Sequence, residues 1–155
     1  MSMVDVSSKP AVYREASAKG IIKLQKETVI RIREGRIEKG EPLETAKIAG
    51  IMAAKNTGQI IPLCHPIPLT HVEIQTKIVG EDEIEVFTTV KAYAKTGVEM
   101  EALTATTVAM LTIWDMTKKY EKDERGQYPF TEISSIRVES KTKGAGKMAE
   151  RHMRG

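Results

Sequence analysis

Three places in the chain carry residues that could do chemistry. The first is Ile60-Ile61-Pro62-Leu63-Cys64-His65-Pro66-Ile67-Pro68-Leu69, where His65 stands between Cys64 and a proline. An imidazole held there can bind an anion or move a proton. It is not one half of a Cys–His nucleophile pair, because adjacent side chains in extended backbone point to opposite sides. The plainer account is a hydrogen-bonded histidine in a packed loop, with Cys64 as a small buried apolar residue. The second place is Val98 to Tyr120. At 100° per residue Glu101, Thr104, Thr112 and Asp115 fall close to one line, and Lys118, three residues past Asp115, is its surface neighbour. The plainer account is a solvent-facing stripe with a surface ion pair. The rest of that helix is nearly all apolar, however, so the polar line suits a cleft or a subunit interface. The third is Lys39-Gly40-Glu41-Pro42, where Gly40 permits a tight turn and Pro42 starts a helix, so that Lys39 sits at a rigid corner. A lysine near other cations can have a lowered pKa and act in acid–base chemistry; otherwise it is an ordinary surface lysine. Lys55 closes the same helix, where its charge complements the helix dipole.

The elements that must position these residues follow from pattern. Val12 to Leu24 ends in a strand-like Gly20-Ile21-Ile22-Lys23-Leu24; in Glu27 to Arg36 the stretch Thr28–Arg33 partly alternates like a strand, but Gly35 suits a helix C-terminus and the segment reads as helix. Pro42 to Asn56, rich in alanine, is a helix that Thr57-Gly58 ends. Three prolines within residues 62–68 forbid a helix and make an extended, rigid loop. Val72–Ile78 and Ile84–Val90 alternate apolar and polar around Gly80-Glu81-Asp82, a β-hairpin with one dry and one wet face. Val98 to Tyr120 is the long helix and Ile133 to Val138 a last strand. This order predicts an α+β fold: a ferredoxin-like four-stranded antiparallel sheet with helices packed on one face. Such a fold hosts many unrelated activities and carries no function by itself.

Composition narrows the class. The 155 residues suit a single domain, with residues 1–12 irregular and 141–155 read as a mobile basic tail. With 41% hydrophobic residues but two Phe, one Trp and four Tyr, the core is built from aliphatic side chains. A net charge of +3 signals neither nucleic-acid nor membrane binding. One cysteine excludes an internal disulfide and points to a reducing cytoplasm. His65, His71 and His152 lack the spacing of a zinc centre, and neither GxxxxGK[ST] nor GxGxxG is present.

The segments together resemble a known family. MVDVSSKP at Met3–Pro10, REASAKG at Arg14–Gly20, KGEPLETAKIAGIMAAKNT at Lys39–Thr57, IPLCHPIPL at Ile61–Leu69, TGVEMEALTA at Thr96–Ala105 and LTIWDMTKK at Leu111–Lys119 are similar, in this order, to blocks of cyclic pyranopterin monophosphate synthase, the MoaC family of molybdenum cofactor biosynthesis. The resemblance covers residues 3–141. Glu41 stands where the family usually has Asp, Trp114 where it often has Tyr, Thr117 where it often has Cys, and KTKGAGK from Lys141 where it has a KSGGKSG-like tail.

The resemblance implies a lyase that converts 3′,8-cyclo-7,8-dihydro-GTP, made by an upstream radical enzyme, to cyclic pyranopterin monophosphate and diphosphate. The rearrangement needs no redox cofactor and no resident metal; whether Mg²⁺ accompanies the triphosphate stays open. It implies Lys39, Asp115 and Lys118 as catalytic acid–base residues. Leu63, Cys64, His65, Glu99, Met100 and Glu101 would contact substrate, Glu101 by accepting guanine-derived N–H groups. Arg14, Lys55 and Lys141 would supply charge to the triphosphate. It further implies a homohexamer, a trimer of dimers, in the cytoplasm. Two other classes compete: a non-catalytic ferredoxin-like module binding nucleotide or RNA, poorly supported by Phe87 and Tyr93 alone, and an interaction protein that oligomerises through its apolar helix.

Overall fold

The computed structural model describes residues 1–144. Its elements are β1 (Val12–Lys23), α1 (Lys26–Arg33), α2 (Pro42–Lys55), α3 (Thr57–Ile60), β2 (His71–Val79), β3 (Glu83–Ala94), α4 (Glu99–Glu121) and β4 (Glu132–Gly144). All strand pairs are antiparallel, in the order β2-β3-β1-β4. This is the α+β architecture expected from the element order.

The sheet's dry face is set by period-two alternation. Ile84, Val86, Thr88, Val90, Ala92 and Ala94 of β3 are all buried, and Ala16, Ala18 and Ile22 of β1 pair into the same face. On it lie α2 and α4, with Val29 and Ile32 of α1 joining the core. Small residues allow the close approach. A side chain on Gly20 would meet Met110 Cε at 2.4 Å, and one on Gly50 of α2 would meet the Ala105 carbonyl of α4 at 3.0 Å and Ile74 Cδ1 at 2.2 Å. In α4 the hydroxyls of Thr106, Thr107, Thr112 and Thr117 donate to the carbonyls four residues back, so this threonine-rich helix buries no unmet hydroxyl.

Three boundaries differ from the sequence reading. The strand expected only toward Leu24 begins at Val12, because pairing with β3 and the proximity of α4 hold the small residues extended. The helix expected to end at Thr57-Gly58 is followed by the single turn of α3. The last strand runs well past Val138: Lys141–Gly144, read as the start of a mobile tail, complete β4, with Gly144 opposite Tyr13. Residues 145–155, the rest of that expected tail, lie outside the described residues.

The end of α4 is tied down by a buried carboxylate. Glu121 is fully buried. It accepts the Gln25 backbone N–H on both oxygens (3.0 and 3.1 Å), the Thr131 hydroxyl at 2.6 Å and the Thr28 hydroxyl. The Gln25 side-chain amide donates to the Glu121 carbonyl at 3.1 Å. One side chain thus joins α1, α4 and the approach to β4, which fixes the helix end carrying Asp115 and Lys118.

Candidate functional site

At the C-terminal end of α4 the three implied acid–base residues meet. Lys39 Nζ donates to Asp115 Oδ2 at 3.0 Å and to the Asp115 carbonyl at 3.2 Å, while Lys118 Nζ donates to Asp115 Oδ1 at 2.9 Å. The Asp115–Lys118 contact is the i,i+3 geometry expected on a helix. Lys39 arrives from the turn between α1 and α2, which Gly40 closes at φ 116° with its N–H donating to the Ile37 carbonyl. All three side chains are partly open to solvent. Hydrogen bonds from Lys118 and Lys39 hold the Asp115 carboxyl below the usual range. Asp115 in turn raises the pKa of Lys118. For Lys118 the carboxylate dominates over any neighbouring cation, the reverse of the lowering that a lysine among cations would show.

At the other end of α4 lies a second group. Glu101 is only 2% exposed, and neither carboxylate oxygen has a hydrogen-bond partner among the described residues. Burial pushes its pKa up to about 7, with the charge of Glu99 adding to the rise against the opposing pull of its own backbone N–H. The carboxyl borders a cavity of about 400 Å³ lined by Ala54, Lys55, Gly58, Gln59 and Pro66–Pro68. A buried carboxyl without a partner, at the wall of a cavity, is poised to accept or donate a hydrogen bond to a ligand. The 100° periodicity placed Glu101 in line with Asp115. The proline loop covers one end of that line and leaves the other open, so the stripe is not uniformly solvent-facing.

Glu99 opens the helix and pairs with Lys141 Nζ at 2.5 Å, which β4 brings alongside. Burial works against its charge, yet Lys141, its own backbone N–H and Arg14 hold its carboxyl below the usual range. Arg14 is 6% exposed and donates to the carbonyls of Ala94 (3.3 Å) and Lys95 (3.0 Å). The structure therefore gives Arg14 a backbone-bracing place, with Glu99 as its charged neighbour.

The proline loop is free of helix from Pro62 to Pro68, as its prolines require, but it is not extended throughout: Ile60 ends α3, and the Cys64 N–H donates to the Ile61 carbonyl at 3.1 Å, closing a turn before His65. Burial, and then the Glu101 charge, raise the Cys64 thiol pKa. His65 Nε2 lies 2.7 Å from the Val4 carbonyl, in contact with the N-terminal segment. Cys64 and His65 share no side-chain bond; the thiol sits 3.8 Å from the His65 carbonyl. Leu63 and Met100 are exposed. Pattern had not pointed to Gly58, Gln59 or Ile67 as part of a cavity wall, and no local signal marks them.

The implied residues thus form two groups. Lys39, Asp115 and Lys118 converge at one end of α4. Glu99, Glu101, Cys64, Lys55, Arg14 and Lys141 gather around the other. Fourteen residues separate Glu101 from Asp115, or roughly 21 Å at 1.5 Å per residue. Among the described residues no helix is long and apolar enough to cross a membrane, and no group of three or more His, Cys, Asp or Glu is placed to hold a metal ion.

Comparison with known proteins bears on this arrangement. The MoaC family model matches residues 3–144. A probable cyclic pyranopterin monophosphate synthase of Sulfolobus acidocaldarius is 58% identical over 144 residues, 93% of this chain and 100% of that protein. Proteins with the same description from Sulfurisphaera tokodaii and Pyrococcus furiosus are 61% identical over 141 residues and 62% identical over 143. The matches cover 91% of this chain and 93% of the first protein, and 92% and 91% for the second.

Proposed function

The chain belongs to the MoaC family, and from that premise we propose that it is a cyclic pyranopterin monophosphate synthase of molybdenum cofactor biosynthesis, a lyase acting in the cytoplasm. Its substrate is 3′,8-cyclo-7,8-dihydro-GTP, supplied by an upstream radical enzyme, and its products are cyclic pyranopterin monophosphate and diphosphate. The observation that carries the reading is the meeting of Lys39 with Asp115 and Lys118 across 76 residues of sequence. The rearrangement opens one ring, closes others and cyclises a phosphate, so protons must be delivered and removed at several atoms. Asp115, kept ionised, orients two ammonium groups, and each of these can donate a proton or hold a phosphate oxygen. Glu101 accepts the N–H edge of the guanine-derived ring, with Leu63, Cys64, His65, Met100 and Glu99 around it. Lys55 and Lys141 add charge toward the triphosphate, and Arg14 braces that end of the site. The conversion has no redox change and uses no redox cofactor; any Mg²⁺ enters with the triphosphate.

Neither end of α4 makes a complete site. A second copy is the simplest remedy. Ile48 and Met52 of α2 and Leu111 of α4 are exposed apolar side chains on two helices packed side by side. They lie between the two ends. A two-fold axis there sets Asp115 of one copy against the Glu101 cavity of the other, and closing such dimers in threes gives the homohexamer. Exposed apolar side chains gathered on adjoining helix faces, rather than scattered singly, are the expected mark of such an interface.

The test is incubation with the cyclised GTP and measurement of diphosphate release. Wild-type turnover is expected, with Asp115→Asn, Lys39→Ala and Lys118→Ala folded and each slowed by about 10²-fold or more. Tight binding without diphosphate release would refute the enzyme and leave a binding module. Normal turnover in any one variant would remove that residue from the site.

A further inference from the structure

Lys39 is a long, flexible side chain on an exposed turn, and a catalytic lysine needs that turn held still. The turn is gripped at three points by one stretch of α4. Asp115 takes the Lys39 ammonium. Lys119 pairs with the Glu38 carboxylate. The Tyr120 hydroxyl accepts the Glu38 backbone N–H at 2.9 Å. The three grips differ in kind. Lys119 and Glu38 are each 67% exposed, and an ion pair that open is screened and weak. The Asp115 carboxylate and carbonyl hold only the tip of the Lys39 side chain and leave the backbone of the turn unfixed by that contact. Of these three grips only that of Tyr120 holds the main chain, at the residue before Lys39 and next to Ile37, whose side chain is buried in the core. Its own position is secure: the ring is half-buried against the core, and the Arg31 guanidinium lies over it at 4.6 Å.

We infer that Tyr120 is a positioning residue for catalysis, acting through the Glu38 N–H to keep Lys39 on Asp115. This rests on the reading of Lys39 as a catalytic lysine. It assigns a role to a side chain that touches neither substrate nor reacting atoms. The neighbouring polar residues Lys119 and Glu38 are subordinate to it. Removing the hydroxyl leaves an N–H that water can satisfy, so the fold survives. What is lost is the register of the turn, and an ammonium displaced by an ångström serves the chemical step poorly while substrate binding, spread over many other groups, is retained.

The experiment is steady-state diphosphate release from the cyclised GTP by the full chain, for wild type, Tyr120→Phe, Lys39→Ala and the double variant. Tyr120→Phe is expected to lower kcat by roughly 5- to 50-fold with KM within about twofold and thermal midpoint unchanged. With Lys39 already gone, measured at stoichiometric enzyme, Tyr120→Phe is expected to have no further effect. A merely structural role would lower the midpoint and act equally in both backgrounds. An unchanged kcat in Tyr120→Phe beside an inactive Lys39→Ala would overturn this inference alone, as would the same fold-loss repeated in the Lys39→Ala background. Full turnover by Lys39→Ala would overturn the catalytic reading of Lys39, and this inference with it.

Discussion

Replacing Glu121 by Gln tests the carboxylate that ties the end of α4 to α1 and β4. In the wild-type chain three donors converge on two oxygens: the Gln25 N–H reaches both, the Thr131 hydroxyl takes Oε1 and the Thr28 hydroxyl takes Oε2. Hydrogen bonds to a charged acceptor contribute about 1.5–3 kcal/mol each. Glutamine keeps one carbonyl oxygen and puts an NH₂ where the other stood. Whichever way the amide is turned, the NH₂ faces one threonine and the Gln25 N–H. The threonine hydroxyl can rotate and accept; the backbone N–H cannot. The variant therefore weakens two charge-assisted bonds to neutral strength and sets a donor against a donor. Against this stands the relief of no longer burying a charge. The net loss is expected to be about 2–4 kcal/mol, a large part of the 5–15 kcal/mol that holds a typical domain. Glu121→Met, which leaves all three donors empty, should lose more. Guanidinium unfolding, followed by far-UV circular dichroism and by the single tryptophan Trp114 on the same helix, measures both at one fixed protein concentration. Losses below about 1 kcal/mol in both variants would refute the argument, since water would then have to reach and satisfy the same donors.

Gly50→Ala should cost about 1–3 kcal/mol, because its Cβ is aimed at the Ala105 carbonyl and at Ile74 Cδ1; denaturant midpoints check this, and a neutral result would mean that α2 and α4 separate freely. The Glu101 carboxyl, observed by carbon NMR in a protomer kept single by Leu111→Glu, should titrate at about 7; if the proposed two-fold pairing brings a partner's cations to it, the value in the paired form should fall toward 4.5, and equal midpoints in the two forms would refute the shared site. The sign follows from its raised value. Protonated Glu101 is favoured by folding, so its contribution is full below pH 4.5 and is lost as pH rises through about 7. In the same single protomer Glu101→Gln should therefore match the wild type near pH 4 and be more stable than it at pH 8 by an amount of order 2–3 kcal/mol, read from unfolding curves at both pH values. Curves offset equally at both would show that Glu101 is not desolvated.

Much of the fold was legible because local chemistry marks it. Pro42 at the start of α2, the alternation in β2 and β3 around Gly80, and the long apolar run of α4 with its narrow polar line each announce an element within a few residues. The misread stretches share the opposite character. Ala16, Ala18 and Gly20 have little intrinsic preference for a strand; they are extended because β3 pairs with them and α4 rests on them. Ser140 to Gly144 carry no hydrophobic alternation, and only their register against β1 makes them strand. Glu121 could be read from sequence only as one more charge near a helix end, although it is among the most buried side chains of the chain.

The candidate site divides along the same line. By itself the sequence determined the i,i+3 neighbours Asp115 and Lys118, the rigid corner at Lys39 and the absence of helix over Pro62 to Pro68, since helix pitch, turn chemistry and proline stereochemistry act over three or four residues. The blocks that mark the family were legible there too. Only the tertiary structure decided that Lys39 lands on Asp115, that Tyr120 grips the turn before it, and that Glu101 is buried beside a cavity while Asp115 stays open. Those outcomes depend on which surfaces pack over each end of α4. Burial and the charges it perturbs are properties of what surrounds a residue in space, and periodicity along one helix contains no record of that.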